Sequence, residues 1–369
     1  MKESIMPHCP TLSRVRQPRL DAVRLNCHGS SRFFVTDAPG GNGCVNSLAE
    51  EIGGFLREHG AHVAAMEAET RAALERTCGP IRWPVTWIDG SACAGKAPIA
   101  AQFYAIAGET KPVMLDGRVV GTMVEDDDAR FVLFGGLRPA DPTASRTDQT
   151  LSLIDQLERA LAAAGMDFHN VVRTWLYCNR ILEWYDELNR VRNEFFTKRG
   201  VYDRLVPAST GVGAGNPFDA ALVADALAVV PLRPGAVIRA MPSPLQCPAP
   251  AYGSAFSRAV EIAVPGCHRL YISGTASIHP GGETAHVGDV DAQVDLSMRV
   301  VKAILDSGGY GWKDINRAVA YFKRPADAAA WNRWVEANKI PAMPVVVVKA
   351  DICRDDLLFE VEADALRVD

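Results

Sequence analysis

The sequence predicts an α+β fold, with mixed sheets covered by helices on one face. Three observations carry the prediction. The second two-thirds of the chain holds an internal duplication, each copy runs strand, helix, strand, helix, strand, strand, and the composition is that of a globular protein. Apolar residues make up 48% and charged residues 22% of 369 positions, so several compact cores can be buried.

The first third, residues 1–125, is treated as an amino-terminal lobe, either distinct or a degenerate third copy. Ser47-Leu48-Ala49-Glu50 has the form of a capping box opening a helix to about Arg57. Val63 to Thr77 suggests a second helix, stopped by Gly79-Pro80. Trp83–Ile88 and Ile99–Ile106 suggest strands.

The first full unit, 126–233, opens with the apolar run Arg130–Gly135. Leu151, Ile154, Leu157 and Leu161 form a helical stripe that Gly165 ends, and a strand containing Thr174–Tyr177 follows. A helix from Trp184 to Phe196 precedes a closing strand pair. Arg233 to Pro250 is punctuated by prolines, so 234–265 is expected to be a linker and connecting segment.

The second unit, 266–369, repeats the pattern. Arg269–Gly274 is its first strand, and Val294, Met298, Val301, Ile304 and Leu305 form the helix stripe before Gly309. Asp327 is a natural N-cap for a helix to Ala337. Val345–Ala350 and Leu357–Ala363 close the unit around the turn Cys353-Arg354-Asp355-Asp356. Gly165 to Arg173 answers Gly309 to Arg317, and Tyr177 and Tyr321 follow at the same spacing. Chance is a poor explanation for that shared pattern.

Other classes are disfavoured. A net charge of -5 gives no footprint for nucleic acid. No run of about 18 apolar residues suggests a membrane span. Nine scattered cysteines without a Cys-x-x-Cys pair suggest reduced thiols rather than a disulfide framework or zinc knuckle. Met1–Pro10 lacks an apolar core of signal-peptide length, so a cytoplasmic protein is expected. Gly211–Gly215 imitates a phosphate loop but no lysine follows, and His279 and His286 lack a third ligand at metal spacing.

Strand parity sorts the polar residues. Val172, Thr174, Leu176 and Cys178 fall on one face and Arg173, Trp175 and Tyr177 on the other. In the second unit Arg317, Val319, Tyr321 and Lys323 share a face, as do Leu358, Glu360, Glu362 and Asp364. Such a face is either exposed and salt-bridged or a chemical site. Aligning Ala221–Ala224 with Leu357–Glu360 sets alanine against Glu360, as expected if one copy alone keeps a site.

The Arg-x-x-x-Tyr strand and the closing Glu-x-Glu strand resemble the Rid (YjgF) family. The usual Rid arginine after a Pro-Ala pair is missing from both Pro207-Ala208-Ser209 and Pro341-Ala342-Met343. The chain more closely resembles the chorismatase group, through Ser254–Ala259, Ser273–Ser277, Gly288–Gln293 and above all Cys353–Glu360. That resemblance implies tandem Rid/YjgF-like (chorismate-mutase-like) lobes and release of pyruvate from chorismate. It implies Glu360 as general acid. Cys353 resembles members that make 3-hydroxybenzoate, whereas alanine there resembles hydrolytic members that make a dihydroxycyclohexadiene acid. Ser273 stands where the group has glycine or alanine.

The chemistry then needs a carboxylic acid whose pKa is raised by burial or by a neighbour such as Glu362. It also needs cations for two substrate carboxylates, with Arg258 and Arg173 leading and Lys323 and Arg317 behind. Tyr177, Tyr321, Ser273 and Gly274 complete the expected substrate-binding set, and Cys353 would shape the pocket or exclude water. No metal or organic cofactor is expected, and the partner is a small molecule. A Rid-type imine or enamine hydrolase and a non-catalytic metabolite-binding protein are the alternatives. Rid proteins are commonly trimers, so the chain is either a pseudo-trimeric monomer or a homo-oligomer.

Overall fold

The computed structural model describes residues 10–17, 20–27, 30–37, 45–67, 71–88, 91–92 and 101–369. Cys9, Cys44, Cys93, most of Met1–Pro10 and the start of the expected strand at Ile99 lie outside them. The first lobe contains β1 (Thr11–Arg16), β2 (Leu20–Cys27), β3 (Ser30–Asp37), α1 (Val45–His59), β4 (His62–Glu67), α2 (Arg71–Cys78) and β5 (Val85–Thr86). A short β6 (Ser91–Ala92) precedes its last strand, β7 (Gln102–Ala107). The second lobe contains β8 (Lys111–Leu115), β9 (Arg118–Glu125), β10 (Ala129–Leu137), α3 (Arg146–Ala163), β11 (Val171–Cys178), α4 (Tyr185–Lys198), β12 (Ala208–Gly213) and β13 (Leu222–Pro231). The third contains β14 (Val237–Met241), β15 (Ala259–Val264), β16 (Cys267–Ala276), α5 (Val290–Ser307), β17 (Ile315–Phe322), α6 (Ala329–Ala337), β18 (Val345–Lys349) and β19 (Phe359–Val368). Among the described residues no helix is long and apolar enough to cross a membrane.

All three sheets have one strand order. The first is β1-β2-β3-β7-β4-β5, the second β8-β9-β10-β13-β11-β12, and the third β14-β15-β16-β19-β17-β18, with β6 added at its edge. In each, the last strand inserts antiparallel between the hairpin strands and a parallel pair (β4 with β5, β11 with β12, β17 with β18). The first lobe therefore repeats the topology of the other two without visible sequence repetition. Burial pattern and connection lengths specify a strand order, and many sequences satisfy them.

Several local expectations change. Val63 to Thr77 is not one helix: its first residues form β4, paired with β7, and among the described residues the helical part is Arg71–Cys78. A short apolar run is ambiguous between strand and helix, and the sheet decides here. Ser47 lies inside α1 rather than capping it, and pairing within Trp83–Ile88 is confined to β5. Asp327 occupies a 3₁₀ turn, paired with Arg324, while Ala328 takes the N-cap position of α6. The 234–265 segment supplies β14 and β15, and 111–125 supplies β8 and β9 to the second sheet. Gly165 and Gly309 do end their helices, with left-handed φ of 70° and 75°.

Helices cover the outer face of each sheet, α3 on Val132 and Ala226 and α5 on Ile272 and Ala363. The inner faces meet one another. Phe34, Phe131, Trp175, Tyr177, Tyr271 and Tyr321 share a single cluster drawn from all three lobes. Val172 joins this cluster instead of the helix side because a bulge between Val171 and Arg173 shifts the strand's parity. The polar face of β19 is therefore not exposed: Glu360, Glu362 and Asp364 are 5%, 0% and 2% accessible.

The registers also correct the alignment between copies. Tyr177 faces Val223 and Tyr321 faces Glu360, so Val223, not Ala224, occupies the position of Glu360. Two residues on, Asp225 matches Glu362. A slip of one residue exchanges the two faces of a strand, so this offset matters.

Glu362 joins the second and third lobes. It accepts from Arg173 at 2.6 Å, from Arg317 at 2.7 Å and from the Trp175 indole at 3.2 Å. Arg173 also donates to Thr210 Oγ1 at 2.6 Å, which in turn accepts the Gly274 amide at 3.0 Å. The first and second lobes meet through a shorter version, in which Asp225 accepts from Thr86 and, at 3.2 Å, from the Gly136 amide. Replacing Glu362 with Leu leaves two buried guanidinium groups without their acceptor and is expected to cost about 3–5 kcal/mol in urea unfolding. Glu194→Ala, at the exposed pair with Arg190, should change stability by about 0.5 kcal/mol or less. Equal effects would contradict the assignment.

Candidate active site

The junction that Glu362 closes from behind opens in front into a cleft of about 550 Å³. Glu360, at the start of β19, and Gly274, near the end of β16, form its floor. The register shift in β16 between Ile272 and Thr275 brings Gly274 under the carboxyl group. A Cβ on residue 274 would collide with Glu360 Oε1, so only glycine admits the acid there. The walls are Tyr185 from α4, Tyr252, Phe256, Ile278, Leu357 and Cys353.

Two carboxyl groups on one strand face are driven apart by their surroundings. Burial raises Glu360, and the charge on Glu362 raises it further against a partial offset from Arg173, to about 8. Burial also disfavours ionised Glu362, but Arg317 and Arg173 outweigh it and hold that carboxyl below its ordinary value. At neutral pH the floor therefore presents a protonated acid backed by a carboxylate. The Cys353 thiol is pushed up to about 12, chiefly by burial and then by Glu360, so it stays neutral. It packs with Ile278 and Leu357. Burial also raises the Tyr185 phenol, whose side chain bonds Asn189 and Ser254.

Three guanidinium groups line the same cleft. Arg258 Nε and Nη2 donate to the Cys247 carbonyl at 3.0 and 2.8 Å, which fixes the group 5.4 Å from the Tyr252 and Phe256 rings. Arg354 is held by the Gly282 carbonyl at 2.7 Å and lies 5.6 Å from the other side chain contact, the Tyr252 ring. Arg192, from α4, donates to Ser209 Oγ at 3.2 Å and to the Ala255 carbonyl at 2.8 Å. Against these three cations Glu360 is the one acidic lining residue among those described. Such a balance suits a dianion.

Of the residues expected from sequence, Glu360, Cys353, Arg258 and Gly274 line this cleft. Arg173 and Glu362 lie directly behind its floor. Ser273 is fully buried beside it, donating to the Ser257 carbonyl at 2.5 Å and accepting the Ser209 amide at 2.9 Å, so it stitches two lobes together. Tyr177 and Tyr321 pack in the interlobe cluster rather than in the cleft. Lys323 points outward to Asp355 at 2.5 Å. Sequence reasoning missed Tyr185, Arg192 and Tyr252 and left Arg354 without a role. Arg354 lay inside the Cys353–Glu360 motif. Tyr185 and Arg192 belong to the other copy, and only the packing of lobes brings them in. Among the described residues no group of three or more His, Cys, Asp or Glu side chains could hold a metal ion.

Residues 248–367 match the family model described as Endoribonuclease L-PSP. Over 223 residues the chain is 30% identical to a chorismatase from Streptomyces rapamycinicus, an alignment covering 53% of this chain and 64% of that protein. It therefore spans somewhat less than two thirds of that relative. A 3-hydroxybenzoate synthase from Streptomyces hygroscopicus is 26% identical over 262 residues, covering 64% of this chain and 74% of the relative. A crystal structure of a chorismatase superposes with a TM-score of 0.65 at 20% identity, over 82% of this chain and 92% of that one, which shows a shared fold. These likenesses show that the chain has the fold of a chorismatase, built on Rid/YjgF-like lobes, and that its sequence is similar to chorismatases over 53–64% of its length.

Proposed function

We propose that this protein is a chorismatase, cleaving the enolpyruvyl ether of chorismate to pyruvate and 3-hydroxybenzoate by general acid catalysis. The observation that carries the reading is Glu360, a protonated carboxyl at the floor of a cleft lined by three arginines. Chorismate has two carboxylates and an enol ether whose methylene carbon must be protonated before the ether becomes a leaving group.

Arg258, Arg354 and Arg192 hold the carboxylates. Glu360 gives its proton to the methylene carbon, and an oxocarbenium ion forms on the side chain. The neighbouring ring hydroxyl displaces the ether oxygen, which departs as pyruvate with the bonding pair. The hydroxyl oxygen, now bridging two ring carbons, breaks its original C–O bond, and loss of the proton from the carbon that keeps the oxygen aromatises the ring. Of the two protons released, one restores Glu360 and the other ends on the phenol oxygen. The two products together contain the atoms of chorismate, so this route consumes no water. In the hydrolytic route one water adds at the oxocarbenium carbon and the ring leaves as a dihydroxycyclohexadiene carboxylate. The neutral Cys353 thiol fills the wall beside Glu360 and excludes that water.

Glu360→Gln keeps the shape and removes the proton. Pyruvate release, followed by a coupled assay, should fall by about 10²–10⁴-fold; release at the wild-type rate would remove Glu360 from the mechanism. Because the protonated form is the active one, kcat/KM should hold steady through neutrality. It should then decline about tenfold per pH unit above roughly pH 8, and a flat profile into strong alkali would count against the acid. Cys353→Ala opens space for water, so chromatography should find the diene acid increased at the expense of the aromatic product. An unchanged product ratio would leave Cys353 without the water-excluding role.

A further inference from the structure

A second cavity lies away from the cleft, where the inner faces of the three sheets converge. It offers about 460 Å³ of space, part of it open to solvent, with Phe34 and Tyr104 from the first lobe, Phe131, Leu133 and Trp175 from the second, and Tyr271 from the third in its walls. Tyr104 and Leu133 are only partly buried and mark its mouth.

Aromatic walls alone would be ordinary interlobe packing. Two buried arginines in them are not. Arg32 on β3 and Arg269 on β16 are 5% and 7% accessible, and their guanidinium carbons stand 4.9 and 4.2 Å from the same ring, Phe131. Asp126 pairs with Arg32, but its other oxygen is already taken by the amides of Asp128 and Ala129. Tyr271 beside Arg269 is neutral, its phenol pushed up to about 12 by burial. Of the next carboxylates, Glu362 is engaged by Arg317 at 2.7 Å, and Asp364 lies 3.7 Å from Arg317 and accepts from the Tyr104 hydroxyl at 3.3 Å. Among the described residues the Nε of Arg32 and the Nε of Arg269 have no hydrogen-bond partner. Buried guanidinium groups keep their protons and are seldom left so incompletely matched. The junction thus carries positive charge and donors in excess, facing an aromatic void.

We infer that this cavity binds a small aromatic monocarboxylate, its carboxylate held by Arg32 and Arg269 and its ring among Phe34, Tyr104 and Trp175. The site is separate from the catalytic cleft and does not depend on the reaction proposed for it. Trp175 lines the cavity and donates to Glu362, which backs the floor of the cleft.

Benzoate is a suitable probe, titrated calorimetrically into the full-length protein. Binding is expected for the wild type, and Arg269→Gln should weaken it by about tenfold or more, the scale of a lost charge-assisted hydrogen bond. Leu133→Trp, which fills the mouth without changing charge, should weaken it to a similar degree and guards against misfolding of the arginine variant. Arg258→Gln, in the cleft, should leave it within about twofold, well inside the loss expected for one such bond. Absence of binding, loss through Arg258→Gln alone, or equal affinity for the uncharged isostere benzyl alcohol would each overturn the inference.

Discussion

The carboxylate of Glu362, held ionised between Arg173 and Arg317, is the interaction on which the rest depends. Taking three charges out of water is costly, and only close pairing with good geometry offsets it. Here that pairing does two jobs. It ties β11 of the second lobe to β17 and β19 of the third. It also fixes a negative charge two residues from Glu360, whose own proton is retained first by burial and then by that neighbouring charge. A mobile or hydrated Glu362 would do neither.

Three lobes of one topology meet around a common core, yet their junctions are not chemically equal. The junction of the second and third lobes has Gly274, Thr210, Glu362 and, in front, Glu360. The junction of the first and second has Gly136, Thr86 and Asp225, with Val223 where the acid would stand. The backing interactions persist in both, while the proton donor occurs in one. Duplication supplied the frame, and a single side chain on the closing strand separates a site from a packed interface.

Much of the third lobe was legible because Phe359, Val361 and Ala363 alternate strictly with Glu360, Glu362 and Asp364, and strand period alone then assigns the faces. What that pattern could not show is whether the polar face meets water or another sheet. The answer lies in contacts between residues more than a hundred positions apart, such as Arg173 with Glu362. The same limit hid Arg192 and Tyr185, which enter the cleft from the other copy. Bulges defeated the remaining details: the irregularity at Val171 moved Val172 to the inner face, and the pairing of Tyr177 with Val223 shifted the match between copies by one residue. The strand β4 was lost for a different reason, since its short run lacks the β-branched density that marks a strand without tertiary context.

The central claim is that Glu360 stays protonated at neutral pH because it is buried beside Glu362, which is held ionised. Carbon-13 NMR of glutamate side-chain carboxyls tests this directly, with the two resonances assigned by single Gln substitutions. The account predicts one carboxyl titrating near pH 8 and a partner still ionised well below the ordinary glutamate range. Both carboxyls titrating together near the ordinary value of about 4.3 would contradict it.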